Sequence, residues 1–456
     1  MIPMRLTDVP ASVVMRGDPD ALVHGVSIDS RTVQPGELFV AFGEGARYID
    51  QAVERGAVAA VVEEDRFEEI RQATDAPNLL MTFSSLRCVQ FLGDANATAS
   101  SALRIGITGS SGKTSTKDAL AHLIGGQRRT VAAPSGFNNE LGYPLTLTLM
   151  DADTEVVVCE LAMRGVGHIA ELCALAAPDI GVITNIGTAH LELLGSRERI
   201  AQAKAEIVHG LAENGRAVLP FAEPLLDPHL PSGVEITTFG EESGADVQLI
   251  DRRLLDDGQE LTYLVRGEVL ALRTNLVGRH HARNLAAALA VCDLLGLDLG
   301  AVAARAGDIP QQRWRGEVRA LPGGVTVVND AYNANPDSTE AALRLLAETA
   351  VEGRRIAVLG LMAELGPDAD ALHRGVGALA ARSRVDMVIA VGEQARAYLD
   401  GAGTGVDGYW AADADAAADR LAELVRPGDR VLVKGSRAAG LEAVPDLLAE
   451  RLEARP

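Results

Sequence analysis

Apolar residues in this chain fall in short runs closed by a polar residue, and between the runs apolar positions recur every three or four residues. The runs at 103–107, 155–159 and 179–184 predict buried strands. Ala119, Leu120, Leu123 and Ile124 sit at helical spacing, and a second helix is predicted over 197–211. Such alternation predicts an α/β fold, with a parallel sheet covered by helices on both faces. The segment 220–276 is richer in turn formers and alternating residues, which predicts a small antiparallel elaboration before a helix over 282–295. Near Asp308-Ile309-Pro310 the pattern restarts. Strands at 325–328, 355–359, 387–391 and 430–433, separated by alanine-rich helices, predict a second α/β unit. The first hundred residues carry short strands with turn signals, and the small, polar residues at 93–101 read as a linker. The alanine- and aspartate-rich run at 411–418 reads as a solvated helix face. Three domains are expected, at 1–100, 101–309 and 310–456.

Polar residues mark the ends of these strands, where ligands collect in open α/β sheets. The first strand runs into Gly109-Ser110-Ser111-Gly112-Lys113-Thr114-Ser115, a phosphate-binding loop leading into a helix. Backbone N–H groups and the positive helix end suit phosphates. Lys113 would reach the outer phosphates and the Thr114 hydroxyl would ligate Mg2+, so a nucleoside triphosphate is the expected ligand. The loop is shortened, with two residues between Gly109 and Gly112 in place of the usual four. Glu160, Asn185, Asp330 and Lys434 each follow an apolar run, and Glu160 is the natural second oxygen ligand for the cation. His190 stands in a loop after a strand. Lys204 lies within a helical pattern whose spacing alone makes it a surface lysine.

The chain has 456 residues and a formal charge of −21, which disfavours nucleic acid and anionic membrane surfaces as partners. No apolar run approaches the length of a membrane span and the N-terminus lacks a signal peptide's regions, so a cytoplasmic protein is expected. Cys88, Cys159, Cys173 and Cys292 lack metal-type spacing and read as reduced packing residues.

Several of these segments together resemble the Mur ligase family, the ATP-dependent enzymes that build the peptide of the peptidoglycan precursor. The shortened loop, Asn138-Asn139, Glu160, the 185–192 segment, Lys204 and Arg283-Asn284-Leu285 match the family's central domain. Asp29-Ser30-Arg31 and Pro35-Gly36-Glu37 resemble its uridine-nucleotide domain, and 330–338, 359–366 and 434–437 resemble the branch that adds a dipeptide. The resemblance implies a three-domain fold with a central P-loop parallel sheet and a Rossmann-like C-terminal α/β domain. It implies an amide ligase that joins D-Ala-D-Ala to UDP-MurNAc-tripeptide, using ATP and Mg2+ and working as a monomer. Lys113, His190 and Lys204 would be catalytic, with Lys204 carbamylated by CO2. Thr114, Glu160, His190 and the carbamylated Lys204 would hold two Mg2+ ions. Gly109 to Ser115, Asn284, Arg313 and Asp330 would bind ATP, with Asn284 on adenine, Asp330 on ribose and Arg313 on the phosphates. Ser30 and Arg31 would meet the uridine nucleotide; Asn138, Asn139, Asn333 and Asn335 would also contact substrate. Three positions depart from the family pattern: Ala162 and His281 replace a glycine and an asparagine, and His168 follows Gly167 where a glutamate is usual.

Overall fold

A computed structural model describes residues 1–15, 18, 20–76, 78–255 and 257–454, so the last two residues of the expected C-terminal domain lie outside the described residues. Three large sheets, beside a two-stranded pairing of Met4–Arg5 with Leu22–Val23, organise the described residues. The central sheet has nine strands, in the spatial order Glu268–Thr274, Gly258–Val265, Val247–Leu255, Glu235–Gly240, Arg216–Pro220, Ile180–Ile183, Leu103–Thr108, Val156–Glu160 and Thr130–Ala132. Pairing is parallel from Thr130–Ala132 through Val247–Leu255 and antiparallel across the last three strands. The elaboration expected at 220–276 is therefore only partly antiparallel. Glu235–Gly240 continues the parallel sheet, because Thr237, Phe239 and Gly240 are buried and the strand docks on Arg216–Pro220 in register.

Both faces of this sheet are apolar, as a sheet covered by helices requires. Ile105, Ile107, Val156, Val158 and Val182 pack under the helices Lys113–Ile124 and Arg279–Leu294. Val157, Cys159 and Ile183 pack under His168–Leu175 and Arg197–His209. The order of the strands puts Leu103–Thr108 in the middle, flanked by Val156–Glu160 and Ile180–Ile183. Loops after all three strands converge at one edge, the position that the rule for open sheets assigns to ligands.

The C-terminal sheet has six strands, in the order Glu317–Leu321, Val325–Asn329, Arg430–Lys434, Arg355–Leu359, Met387–Val391 and Asp407–Ala411, parallel except for the first hairpin. In the 411–418 run, Ala417 and Ala418 are buried against that sheet, while Asp413 caps the helix Ala414–Leu424. Only part of the run is therefore a solvated face.

The N-terminal sheet, ordered Ser12–Met15, Asn78–Thr82, Ala59–Glu63, Glu37–Val40 and Gly25–Ser27, is parallel over four of its five strands. The expected linker at 93–101 is mostly helix: Ser85–Ala99 is continuous, capped by Ser84. Its small residues serve packing instead of flexibility. A Cβ at Gly93 would come within 2.6 Å of Pro144, so the glycine lets this helix lie directly on the helix Gly142–Leu147. Asn96 reinforces the junction by donating to the carbonyls of Leu147 and Met150. Cys88, Cys159, Cys173 and Cys292 are free and buried.

Candidate active site

Two glycines shape the phosphate loop. A side chain at Gly109 would place its Cβ 1.8 Å from Thr184 Oγ1, and at Gly112, where φ is +79°, 2.6 Å from Asn284 Oδ1. Asn284 thus lies over the loop, carried there by the helix Arg279–Leu294. The loop is fastened from the neighbouring strand. Asn185 Oδ1 accepts from Ser111 N at 2.9 Å, its carbonyl accepts from Ser110 N at 3.1 Å, and Thr184 Oγ1 donates to the Ser111 carbonyl at 2.6 Å. The Ser110 and Ser111 amides, expected to face phosphate, are engaged by Asn185. The free first-turn amides of the helix starting at Lys113 remain for an anion. Lys113 Nζ curls back to donate to the Gly109 carbonyl at 2.8 Å.

Glu160 ends its strand buried at 5% exposure, with both oxygens in use. Thr114 Oγ1 donates to Oε2 at 2.8 Å and Asn138 Nδ2 donates to Oε1 at 2.9 Å. Asn139 instead accepts from the Leu141 and Gly142 amides, holding the turn into the helix Gly142–Leu147. Ala162, where a glycine was expected, keeps its N–H bonded to the Asn138 carbonyl at 2.8 Å, so the substitution leaves this turn intact.

Lys204 overturns the spacing argument. It is 1% exposed on the inner face of the helix Arg197–His209, and among the described residues none hydrogen-bonds or ion-pairs with it. Burial, with the charge of Lys113 adding to it, pushes its pKa well below the ordinary 10.5. Lys113 is itself lowered by burial, against the pull of Glu160. His190 adopts the left-handed conformation, φ +64°, and its Nδ1 lies 2.7 Å from Glu364 Oε2 without the alignment of a hydrogen bond. Burial and then Lys113 lower the His190 pKa.

The C-terminal region closes over this edge. Asp337 Oδ2 accepts from Thr188 N at 2.7 Å and from its hydroxyl at 2.8 Å, and Arg315 Nη2 donates to Thr114 Oγ1 at 3.2 Å. Arg313, expected at the phosphates, is exposed, with its guanidinium over the Trp314 ring at 5.4 Å. The Arg315 side chain turns inward instead, stacking 3.9 Å over the Tyr332 ring with Nη2 on Thr114. Asp330 is joined to Lys434 Nζ at 2.7 Å. Asn333 spends its side-chain oxygen on the next amide, and Asn335 caps the helix Pro336–Glu348 with Ser338. His281, on the same helix as Asn284, is buried with an unpartnered Nδ1, and burial holds its pKa well down. His168 accepts from the Arg164 amide and stays at the surface. In the turn after the strand Gly25–Ser27, Ser30 donates to Gln51 at 2.7 Å and Arg31 is paired with Asp29, so their partners belong to the N-terminal region.

The structure thus gathers Lys113, Thr114, Asn138, Glu160, His190, Lys204, Asn284 and Arg315. It leaves Ser30, Arg31 and Arg313 outside. Arg315 and Asp337 carried no distinguishing sequence signal beyond their place in the 310–338 stretch. Among the described residues no group of three or more His, Cys, Asp or Glu is arranged for a metal ion. Mg2+ needs none, because it is held through one or two protein oxygens plus phosphates. The adjacent hard oxygens of Thr114 and Glu160 fit that role.

A parallel sheet, a phosphate loop at its switch point and an apposed second α/β unit define a nucleotide-dependent enzyme whose site forms between domains. Comparison with known proteins narrows the class. Residues 107–292 match the Mur ligase middle domain and residues 314–437 match the Mur ligase glutamate ligase domain. The UDP-N-acetylmuramoyl-tripeptide–D-alanyl-D-alanine ligase of Mycobacterium tuberculosis is 35% identical over 93% of this chain and 91% of its own. The protein of that name from Bacillus subtilis is 33% identical over 94% of each. A crystal structure of MurF ligase from Thermotoga maritima in complex with ADP superposes with a TM-score of 0.81 at 30% identity, covering 95% of this chain and 98% of that one. The chain belongs to the Mur ligase family.

Proposed function

We propose that this chain is an ATP-dependent amide ligase that joins D-alanyl-D-alanine to UDP-N-acetylmuramoyl-tripeptide in peptidoglycan precursor synthesis, releasing ADP and phosphate. The observation that carries this reading is the joining of a phosphate loop to Glu160, His190 and a buried, unpaired Lys204, under a C-terminal domain that closes on them. Relatives named for this reaction match nearly the whole chain.

An amide does not form readily from a carboxylate and an amine until one carboxylate oxygen becomes a good leaving group. The tripeptide's terminal carboxylate attacks the γ-phosphorus of ATP, giving an acyl phosphate and ADP. The amine of the dipeptide then attacks the acyl carbon, losing a proton, and phosphate departs. The reactants before amine attack are anionic, so Lys113, Arg315 and the helix-terminal amides at 113–115 offset their repulsion. Two bound Mg2+ ions would neutralise phosphate charge, one held by Thr114 and Glu160 and the other by His190 and Lys204. Lys204 fits that second place once carbamylated. A lysine amine held neutral by burial is nucleophilic toward CO2, and the N–C bond it forms, with loss of a proton, turns an unpaired base into an oxygen ligand. Asn284 sits above the loop where a nucleoside would extend, and Asp330 of the facing domain would meet the ribose. Ser30 and Arg31 would receive the uridine nucleotide, while Asn138, Asn139, Asn333 and Asn335 shape the path between. Three domains are read at 1–100, 101–309 and 310–456, the first for the uridine nucleotide, the second for ATP and the third for the dipeptide.

A single chain supplies every group named, so a monomer suffices. ATP and a nucleotide-sugar as substrates place the work in the cytoplasm; among the described residues no helix is long and apolar enough to cross a membrane. The test is phosphate release by folded protein with ATP, Mg2+, UDP-MurNAc-tripeptides and D-Ala-D-Ala. Release that needs both acceptor and dipeptide is expected; none with any acceptor would end the assignment.

A further inference from the structure

Two buried polar atoms of opposite charge lie unused at the edge of the phosphate loop. Asp118 Oδ2 and Arg315 Nε are both shut off from solvent, and neither has a hydrogen-bond partner among the described residues. Asp118 stands one turn beyond Thr114 on the helix Lys113–Ile124, so the two side chains share a face. Arg315 approaches that face from the other domain, with Nη2 donating to Thr114 Oγ1 at 3.2 Å. The second Asp118 oxygen, Oδ1, is taken by Lys117 at 2.7 Å. Burial raises the Asp118 carboxyl above its ordinary value, and the opposing pull of Lys117 and Arg315 does not cancel it. That is the condition of a carboxylate short of one cationic donor.

An orphaned donor and an orphaned acceptor each carry a desolvation cost that their union removes. The Arg315 charge already acts on the Asp118 carboxyl, and a guanidinium turned off the Thr114 hydroxyl would let Nε meet Oδ2 and leave that hydroxyl oxygen free.

We propose that Asp118 is the positioning residue of Arg315: its Oδ2 accepts Nε–H and holds the guanidinium's terminal nitrogens toward the outermost phosphate of the bound triphosphate. This rests on the reading of Arg315 as a phosphate contact. The consequence is selectivity for the triphosphate over the diphosphate, because the positioned nitrogens meet only the phosphate that ADP lacks.

Affinities of the full chain for a nonhydrolysable ATP analogue and for ADP, both with Mg2+, test it. Asp118→Asn should weaken the analogue about tenfold, the scale of one hydrogen bond between charged groups. ADP binding should not change, which also reports an intact fold. Asp118→Glu, which keeps the carboxylate, should retain affinity for the analogue. In an Arg315→Gln background, Asp118→Asn should cost nothing further. Equal losses in both backgrounds, equal losses for the two nucleotides, or a glutamate variant as weak as the asparagine one would overturn the proposal. Since binding alone is read, a chain that shows this pattern but forms no amide keeps the inference and refutes the ligase reading.

Discussion

Lys204, on the helix Arg197–His209, and Lys434, at the end of the strand Arg430–Lys434, are both almost fully buried, yet they are in opposite electrostatic situations. Lys434 ends its strand with three acceptors, the Asp330 carboxylate at 2.7 Å and the carbonyls of Asp330 and Asn333 at 3.3 and 3.0 Å. Lys204 has none among the described residues, and faces the charge of Lys113. Removing a charge from water is costly unless it is paired. The paired lysine, Lys434, therefore ties a loop in place, while the surroundings of Lys204 disfavour its charged form. Burial by itself does not distinguish the two lysines; the presence of a partner does.

Substitution at Lys204 should break the comparison most sharply. Lys204→Met keeps the volume and removes the unpaired amine, so it should lower kcat by at least about a hundredfold, roughly 3 kcal/mol. Its urea midpoint should stay equal or rise. Activity within a few fold of the parent would put Lys204 outside the mechanism.

His280, half-buried with its ring 4.2 Å from that of His281, is another group whose charged form its surroundings disfavour. Burial, with Lys434 and Arg252 adding to it, holds its imidazole at about 4. The unfolded chain binds that proton near pH 6.5 and the folded chain does not. Stability is thus complete above pH 6.5 and falls as the pH drops toward 4, by about 3 kcal/mol at most. Chemical denaturation at several pH values should show that slope, and His280→Asn should reduce it, leaving the part due to His281. An unaltered slope in the variant would assign the acid sensitivity elsewhere.

For the paired lysine the expected loss is structural and smaller. Lys434→Met leaves Asp330, which retains some solvent contact, without its cation, and should cost about 2 kcal/mol of stability. A loss in activity with no change in unfolding would contradict the structural role. The smallest effect belongs to the clasp between domains. Thr188→Val removes one of the two donors to Asp337 Oδ2, about 1 kcal/mol, and should raise substrate KM several fold with kcat little changed. No change in KM would mean the clasp does not help close the site.

The chemistry-bearing loop was legible because its residue types and its place between strand and helix point one way, and Glu160, Asn185 and Asp330 follow apolar runs that end where the sheet does. Other features were hidden for physical reasons. Periodicity places Lys204 on a helix but not the second layer of structure that buries it. Arg313 and Arg315 are two residues apart in one irregular stretch, and only the fold shows which turns inward. The segment 93–101 reads as a linker from its small residues, yet these are what let Ser85–Ala99 pack on Gly142–Leu147. The strand Glu235–Gly240 has the alternation of an antiparallel edge and joins a parallel sheet, since register is a property of the partner as much as of the segment.

The central claim is that this edge activates a carboxylate by phosphorylating it. Tripeptide substrate carrying 18O in its terminal carboxylate, turned over with ATP, Mg2+ and D-Ala-D-Ala, tests that claim directly. Attack of the carboxylate on the γ-phosphorus moves one carboxylate oxygen into the phosphate that later departs, so the released phosphate should carry one 18O and the new amide the other. Released phosphate free of label, alongside amide product, would contradict the acyl-phosphate route.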